Sequence, residues 1–131
     1  MFKAFTDTMT DIHLEQFIYQ LADQQIEGYN GGMWQLGQTV GTMDFVGLPE
    51  TESGTVRVRG QNYCDVTTDP LTAGAALSVI AYNLLGWKLY EVDPSGETTR
   101  MLFTLSEDLK YAVLDSDWDD QRKSDFLSII D

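Results

Sequence analysis

Cysteine occurs once, as Cys64, and histidine once, as His13. One thiol and one imidazole leave no internal disulfide, no thiolate zinc set, no paired redox site and no two-histidine metal motif. His13 falls in the first turn of an expected helix and is read as surface or capping decoration, not as a catalytic base. Basic side chains are scarce too: 8 Lys and Arg stand against 21 Asp and Glu, for a net charge of -13. Phosphate contacts are made by Lys and Arg, so the balance argues against direct DNA or RNA binding. It favours solubility and long-range attraction to basic partners, including proteins that themselves bind DNA. Long apolar runs are also missing, since no window reaches the ~18 residues of a membrane-spanning helix. The start, Met1 to Asp7, has no long apolar run and is soon followed by Asp11; it is expected to be neither signal peptide nor anchor, and the protein is expected to act in the cytoplasm.

Enzymatic signatures are absent as well. The chain has no phosphate loop, no Gly-x-Gly-x-x-Gly between a strand and a helix, and no nucleophile elbow. Carboxylates alone suffice for glycoside hydrolysis, but nothing singles out one pair among so many acids. No catalytic residue, cofactor or metal is therefore assigned. Alternating Asp-Ser-Asp-x-Asp-Asp at 115–120 lacks the bend glycine and the closing glutamate of a calcium loop.

What is present is a 43% hydrophobic composition, enough to bury the core of one domain over residues 1–131. From Asp11 to Glu27, Leu14, Phe17, Ile18, Leu21, Ala22 and Ile26 recur at helical spacing, with Thr10 or Asp11 as cap and Gly28 as stop. Four strands are expected over 33–38, 42–48, 55–59 and 62–67, and Val56 and Val58 should share one face while Arg57 and Arg59 share the other. Those arginines are expected chiefly to neutralise neighbouring carboxylates. Asp69 and Pro70 open a helix over 71–85 with apolar residues on nearly every side, ended by Gly86 and buried against the sheet. Residues 87–92 and 97–103 read as a further hairpin around Asp93-Pro94-Ser95-Gly96. Thr104-Leu105-Ser106-Glu107 reads as a capping box opening a short helix through Leu114, and Ser116 as the cap of a last helix from Asp117. The expected fold is α+β: an antiparallel sheet of four to six strands with an N-terminal helix, a buried central helix and one or two C-terminal helices.

Two stretches stand out as candidate binding residues. Glycines Gly28, Gly31 and Gly32 permit a sharp corner, flanked by Tyr29, Asn30 and Trp34; Tyr29 is expected to be partly exposed and Trp34, in register with Leu36, to point inward. Asp115, Asp117, Asp119 and Asp120 surround Trp118. Aspartates at a helix start are favoured by its dipole. The same cluster also suits an acidic face with an aromatic anchor that docks on a basic surface.

Tyr29-Asn30-Gly31-Gly32-Met33-Trp34 after a helix, the helix start Asp69-Pro70-Leu71-Thr72-Ala73-Gly74-Ala75-Ala76, and the ending Ile129-Ile130-Asp131 together resemble the antirestriction proteins of the KlcA/ArdB family. Plasmids and phages carry these against host type I restriction enzymes. The chain departs from the family at Met33, where an aromatic is usual, and at Val40 to Phe45, which stand where a Gly-Gly-Phe-Tyr-Met-like segment often follows. The resemblance implies a non-enzymatic inhibitor of a host DNA-defence system, acting by contact with a type I restriction enzyme or other nuclease complex that offers a basic surface. It implies no membrane or direct nucleic-acid partner, and leaves monomer or dimer open. An acidic DNA mimic or anti-CRISPR-type inhibitor is the alternative within this class, and a small acidic enzyme the alternative outside it.

Overall fold

The computed structural model describes residues 8–27, 35–48, 51–60 and 64–130. Its elements are α1 (Thr8–Gln25), β1 (Gln35–Val40), β2 (Met43–Gly47), β3 (Val56–Arg59), β4 (Asp65–Thr68), α2 (Pro70–Val92), α3 (Glu97–Asp115) and α4 (Asp120–Ile130). Helix and sheet are mixed in one small domain, and among the described residues no helix is long and apolar enough to cross a membrane.

The centre is α2. Asp69 caps it, accepting hydrogen bonds from the Thr72 amide at 2.7 Å and the Thr72 hydroxyl at 3.1 Å, and Pro70 occupies the first turn, where a missing N–H costs nothing. Residues Thr72 through Val79 are buried without interruption. A helix apolar all round has to be covered on every side, and α1, α3, α4 and β2 supply the cover. On α3 the buried residues Thr99, Leu102, Ser106, Leu109 and Val113 recur every three or four positions, the stripe of an amphipathic helix. From α1, Ile18, Leu21, Ala22 and Gln25 face inward in the same rhythm, and α4 contributes Phe126 and Ile129.

The strands correct the expected sheet. Instead of one sheet with four to six strands, β1–β2 and β3–β4 form two separate two-stranded antiparallel ladders. The first closes through Gly41, whose φ of 58° is the left-handed conformation that glycine takes at little cost. The second pairs Val58 with Val66 and is extended by one bridge from Ile26 at the end of α1. Val56 and Val58 are buried and Arg57 and Arg59 exposed, the alternation expected from sequence. Arg57 binds Asp65 through two nitrogens at 2.8 and 2.7 Å and reaches Glu27 at 3.2 Å. Helices take what further strands would have supplied.

Residues 87–103 are the largest departure from the sequence reading. No hairpin forms there: α2 continues through Gly86 to Val92, the chain reverses at Asp93 to Gly96, and α3 starts at Glu97. Gly86 does not end the helix because its missing side chain makes room for Phe103; a Cβ there would stand 3.0 to 3.2 Å from that ring. Thr104 to Glu107, expected as a capping box, lie inside α3, where the buried Ser106 hydroxyl donates to the Val79 carbonyl at 3.1 Å. α4 begins at Asp120 and is capped by Asp119, whose carboxylate accepts from the Arg122 amide at 2.8 Å, while Ser116 ends α3.

Two expectations follow. Leu77 is fully buried whereas its neighbour Ile80 is half-buried on a cleft wall. Leu77→Ala should cost about 2–5 kcal/mol in urea unfolding, and Leu77→Asp should not fold, while Ile80→Ala should cost clearly less than Leu77→Ala. Hydrogen bonds from Arg57 hold the Asp65 carboxyl below its usual pKa. A carboxylate so lowered contributes stability above its unfolded value of about 3.9 and loses that contribution as the pH falls through the folded value. Asp65→Asn should therefore lower the melting temperature slightly at pH 7, with the gap to the parent narrowing below about pH 4.

Candidate functional site

Of the residues singled out by sequence, Gly28, Tyr29, Asn30, Gly31, Gly32 and Trp34 lie outside the described residues. The acidic link between α3 and α4 is described throughout, and much of it holds the fold. The Ser116 hydroxyl donates to the Val113 carbonyl at 2.6 Å, and Lys123 Nζ donates to the Ser116 carbonyl at 2.7 Å. Arg122 Nε donates to Asp69 at 2.8 Å, so the cap of α2 is tied to the first turn of α4. Trp118 is half-buried, its ring edge-on to buried Phe45 with centroids 6.3 Å apart. Only part of that ring is open to a partner. Asp115, Asp117 and Asp120 are exposed; Asp119 is exposed but engaged as a cap.

A second surface was missed by the strand reading of 87–92. Trp87 and Tyr90, one turn apart on α2, are 54% and 46% exposed. Their positions are fixed by edge-on ring packing: Phe103 lies 5.2 Å from Trp87, and Trp87 lies 5.5 Å from Tyr90. Gly86 allows this, because it lets Phe103 come close enough to prop Trp87. Glu91, Asp93, Glu97 and Arg100 are exposed, and Lys88 lies over the Phe17 ring at 4.9 Å. The signal that would have found this face is the run Ile80, Leu84, Trp87, which keeps one apolar helical stripe through Gly86.

The third feature is a cleft of about 440 Å³ among α1, α2, α3 and α4. Leu21, Ile80, Leu84 and Ile129 line it with apolar surface, and Gln25, Asn83, Glu107 and Lys110 add polar groups. Gln25 is 7% exposed, and its Oε1 is buried without a hydrogen-bond partner among the described residues. Leaving such a carbonyl unpaired costs about 1–3 kcal/mol. Glu107 is the one carboxylate among the described lining residues.

Fold and surface together define a small acidic α+β protein with a propped, solvent-facing aromatic pair. Compared with known proteins, the chain matches no family model and no curated protein.

The Asp69 junction makes a direct test. Asp69→Ala removes both the cap of α2 and the partner of Arg122, and should lower stability by about 1–2 kcal/mol. Asp69→Asn keeps a capping oxygen and should recover most of that loss, read by thermal melting of both variants.

Proposed function

We propose that the protein is a non-enzymatic binding protein that docks on a basic protein surface, and that its target is a host DNA-defence enzyme, type I restriction enzymes first. The observation that carries the docking mode is the Trp87–Tyr90 pair, half exposed and held in place on a chain of net charge -13. Trp and Tyr are the residues on which interface energy concentrates, and a held ring loses little freedom on binding. The surrounding field speeds encounter with a cationic partner. Enzymes that grip DNA carry such surfaces, and the antirestriction resemblance at 29–34, 69–76 and 129–131 directs the choice of target. The acidic link at Asp115, Asp117 and Asp120 favours a second reading, in which its carboxylates stand in for DNA phosphates at a nuclease's DNA site.

Phage plating on restricting and on CRISPR-competent hosts that express the protein decides both target and mode. Relief of type I restriction is expected. The double variant Trp87→Ala/Tyr90→Ala should keep its melting temperature near the parent's and lose about 2 kcal/mol or more of target affinity, with restriction relief falling accordingly. If Asp115→Asn/Asp117→Asn/Asp120→Asn abolishes relief and the alanine pair does not, phosphate mimicry is the mode. Relief on neither host would sink the class.

A further inference from the structure

The cleft shares no residue with the Trp87–Tyr90 pair and has the properties of a ligand site of its own. Its volume of about 440 Å³ lies inside the range of small-molecule sites, about 300–1,000 Å³. Four helices contribute to it, and Gly60, just after β3, completes the described lining. Gln25 brings a buried carbonyl that the described protein leaves without a donor. Glu107 and Lys110, one turn apart on α3, bring one charge of each sign. The ion pairs among the described residues involve Arg57, Arg59 and Arg122, and neither Glu107 nor Lys110 has a partner among them.

We propose that this cleft binds a small zwitterion with an apolar body, an apolar α-amino acid being the simplest. The side chain would lie among Leu21, Ile80, Leu84 and Ile129. The ammonium group donates toward Glu107 and the Gln25 carbonyl, and the carboxylate accepts from Lys110 and the Asn83 amide. An opposite-charge pair at the mouth discriminates a zwitterion from a fatty acid or an alkyl amine, each of which leaves one protein charge unanswered. A donor to Gln25 supplies the hydrogen bond that its carbonyl lacks, which is how a polar floor gains selectivity over a wholly apolar one.

Titration calorimetry and amide-shift NMR on the full chain test this with L-leucine and L-phenylalanine. The comparators are 4-methylpentanoate, isoamylamine and N-acetyl-L-leucinamide, which lack the ammonium group, the carboxylate and both charges respectively. At least one of the amino acids should bind saturably and shift the amides of Leu84, Lys110 and Ile129. Each comparator should bind about tenfold more weakly or worse. Lys110→Gln and Glu107→Gln lie at the open mouth, so they should keep the parent's melting temperature while weakening the amino acid by about fivefold or more. Trp87→Ala/Tyr90→Ala should bind it as the parent does, so this site and the docking face fail separately. Two results would overturn the proposal: no saturable binding of either amino acid up to about 10 mM, or N-acetyl-L-leucinamide binding as well as L-leucine. The second result would assign the cleft to an apolar side chain of a partner protein.

Discussion

Everything in the structure depends on hiding α2. Eight consecutive residues from Thr72 to Val79 are shut away from water, and a helix with no wet face cannot exist until other elements surround it. Small residues set how close those elements come: Ala73, Gly74, Ala75, Ala76 and Ala81 keep the helix thin, and Leu77 and Tyr82 fill what space remains. The buried hydroxyls are consistent with this closeness. Ser78 turns back onto the Gly74 carbonyl at 2.9 Å, and Ser106 crosses from α3 to the Val79 carbonyl. A buried hydroxyl without such a bond would weigh against the core.

Several of the few cations sit where elements meet. Arg57 and Arg59 on β3 answer Glu27, just past α1, and Arg57 also answers Asp65 on β4; Arg122 ties α4 to the cap of α2; Lys123 holds the α3–α4 link; Lys88 lies on Phe17. Five of the eight basic side chains thus join one element to another. Most acids whose exposure is described, by contrast, face water without such a partner. Exposed pairs of this kind add little stability each. Their greater effect is on the pattern of charge a partner meets.

How much of this was legible in the sequence depended on how local each determinant was. Val56 to Arg59 alternates in its own four residues, and Asp69-Pro70 carries its cap and its first turn within one dipeptide, so both were readable. The turn at Asp93 to Gly96 was also readable, yet the elements on either side of it were not. Trp87-Lys88-Leu89-Tyr90-Glu91-Val92 has the aromatic and branched content of a strand, and Gly86 looks like a stop. What overrides both is a contact 17 positions away in the sequence: the Phe103 ring seated on Gly86. The single larger sheet failed for a related reason, because the chain expected to extend it went into the helical cover of α2. Of the candidate site, the acidic link was visible as composition, but the half-burial of Trp118 against Phe45 was not. The cleft was invisible, since its residues come from four helices and the end of β3, spread from Leu21 to Ile130.

The exposure of Trp87 and Tyr90 follows from unequal helix lengths. α4 starts beside the cap of α2, where Arg122 meets Asp69, and its last turns reach the cleft at Ile129 and Ile130 near Asn83 and Leu84. The two helices therefore run in the same direction. At about 1.5 Å per residue, 11 residues of α4 span roughly 16 Å and 23 residues of α2 roughly 34 Å. The last turns of α2 project past the end of that cover, where among the described residues α3 packs on Trp87 through Phe103 and α1 meets Lys88 through Phe17. Geometry alone asks nothing of the side chains there, and Lys or Glu would have met water at no cost. Two aromatics instead stand in solvent, propped from behind by a third ring that lies close against Gly86. That combination keeps a large apolar surface in one orientation, a condition that stability of the isolated chain does not require and that contact with another protein does.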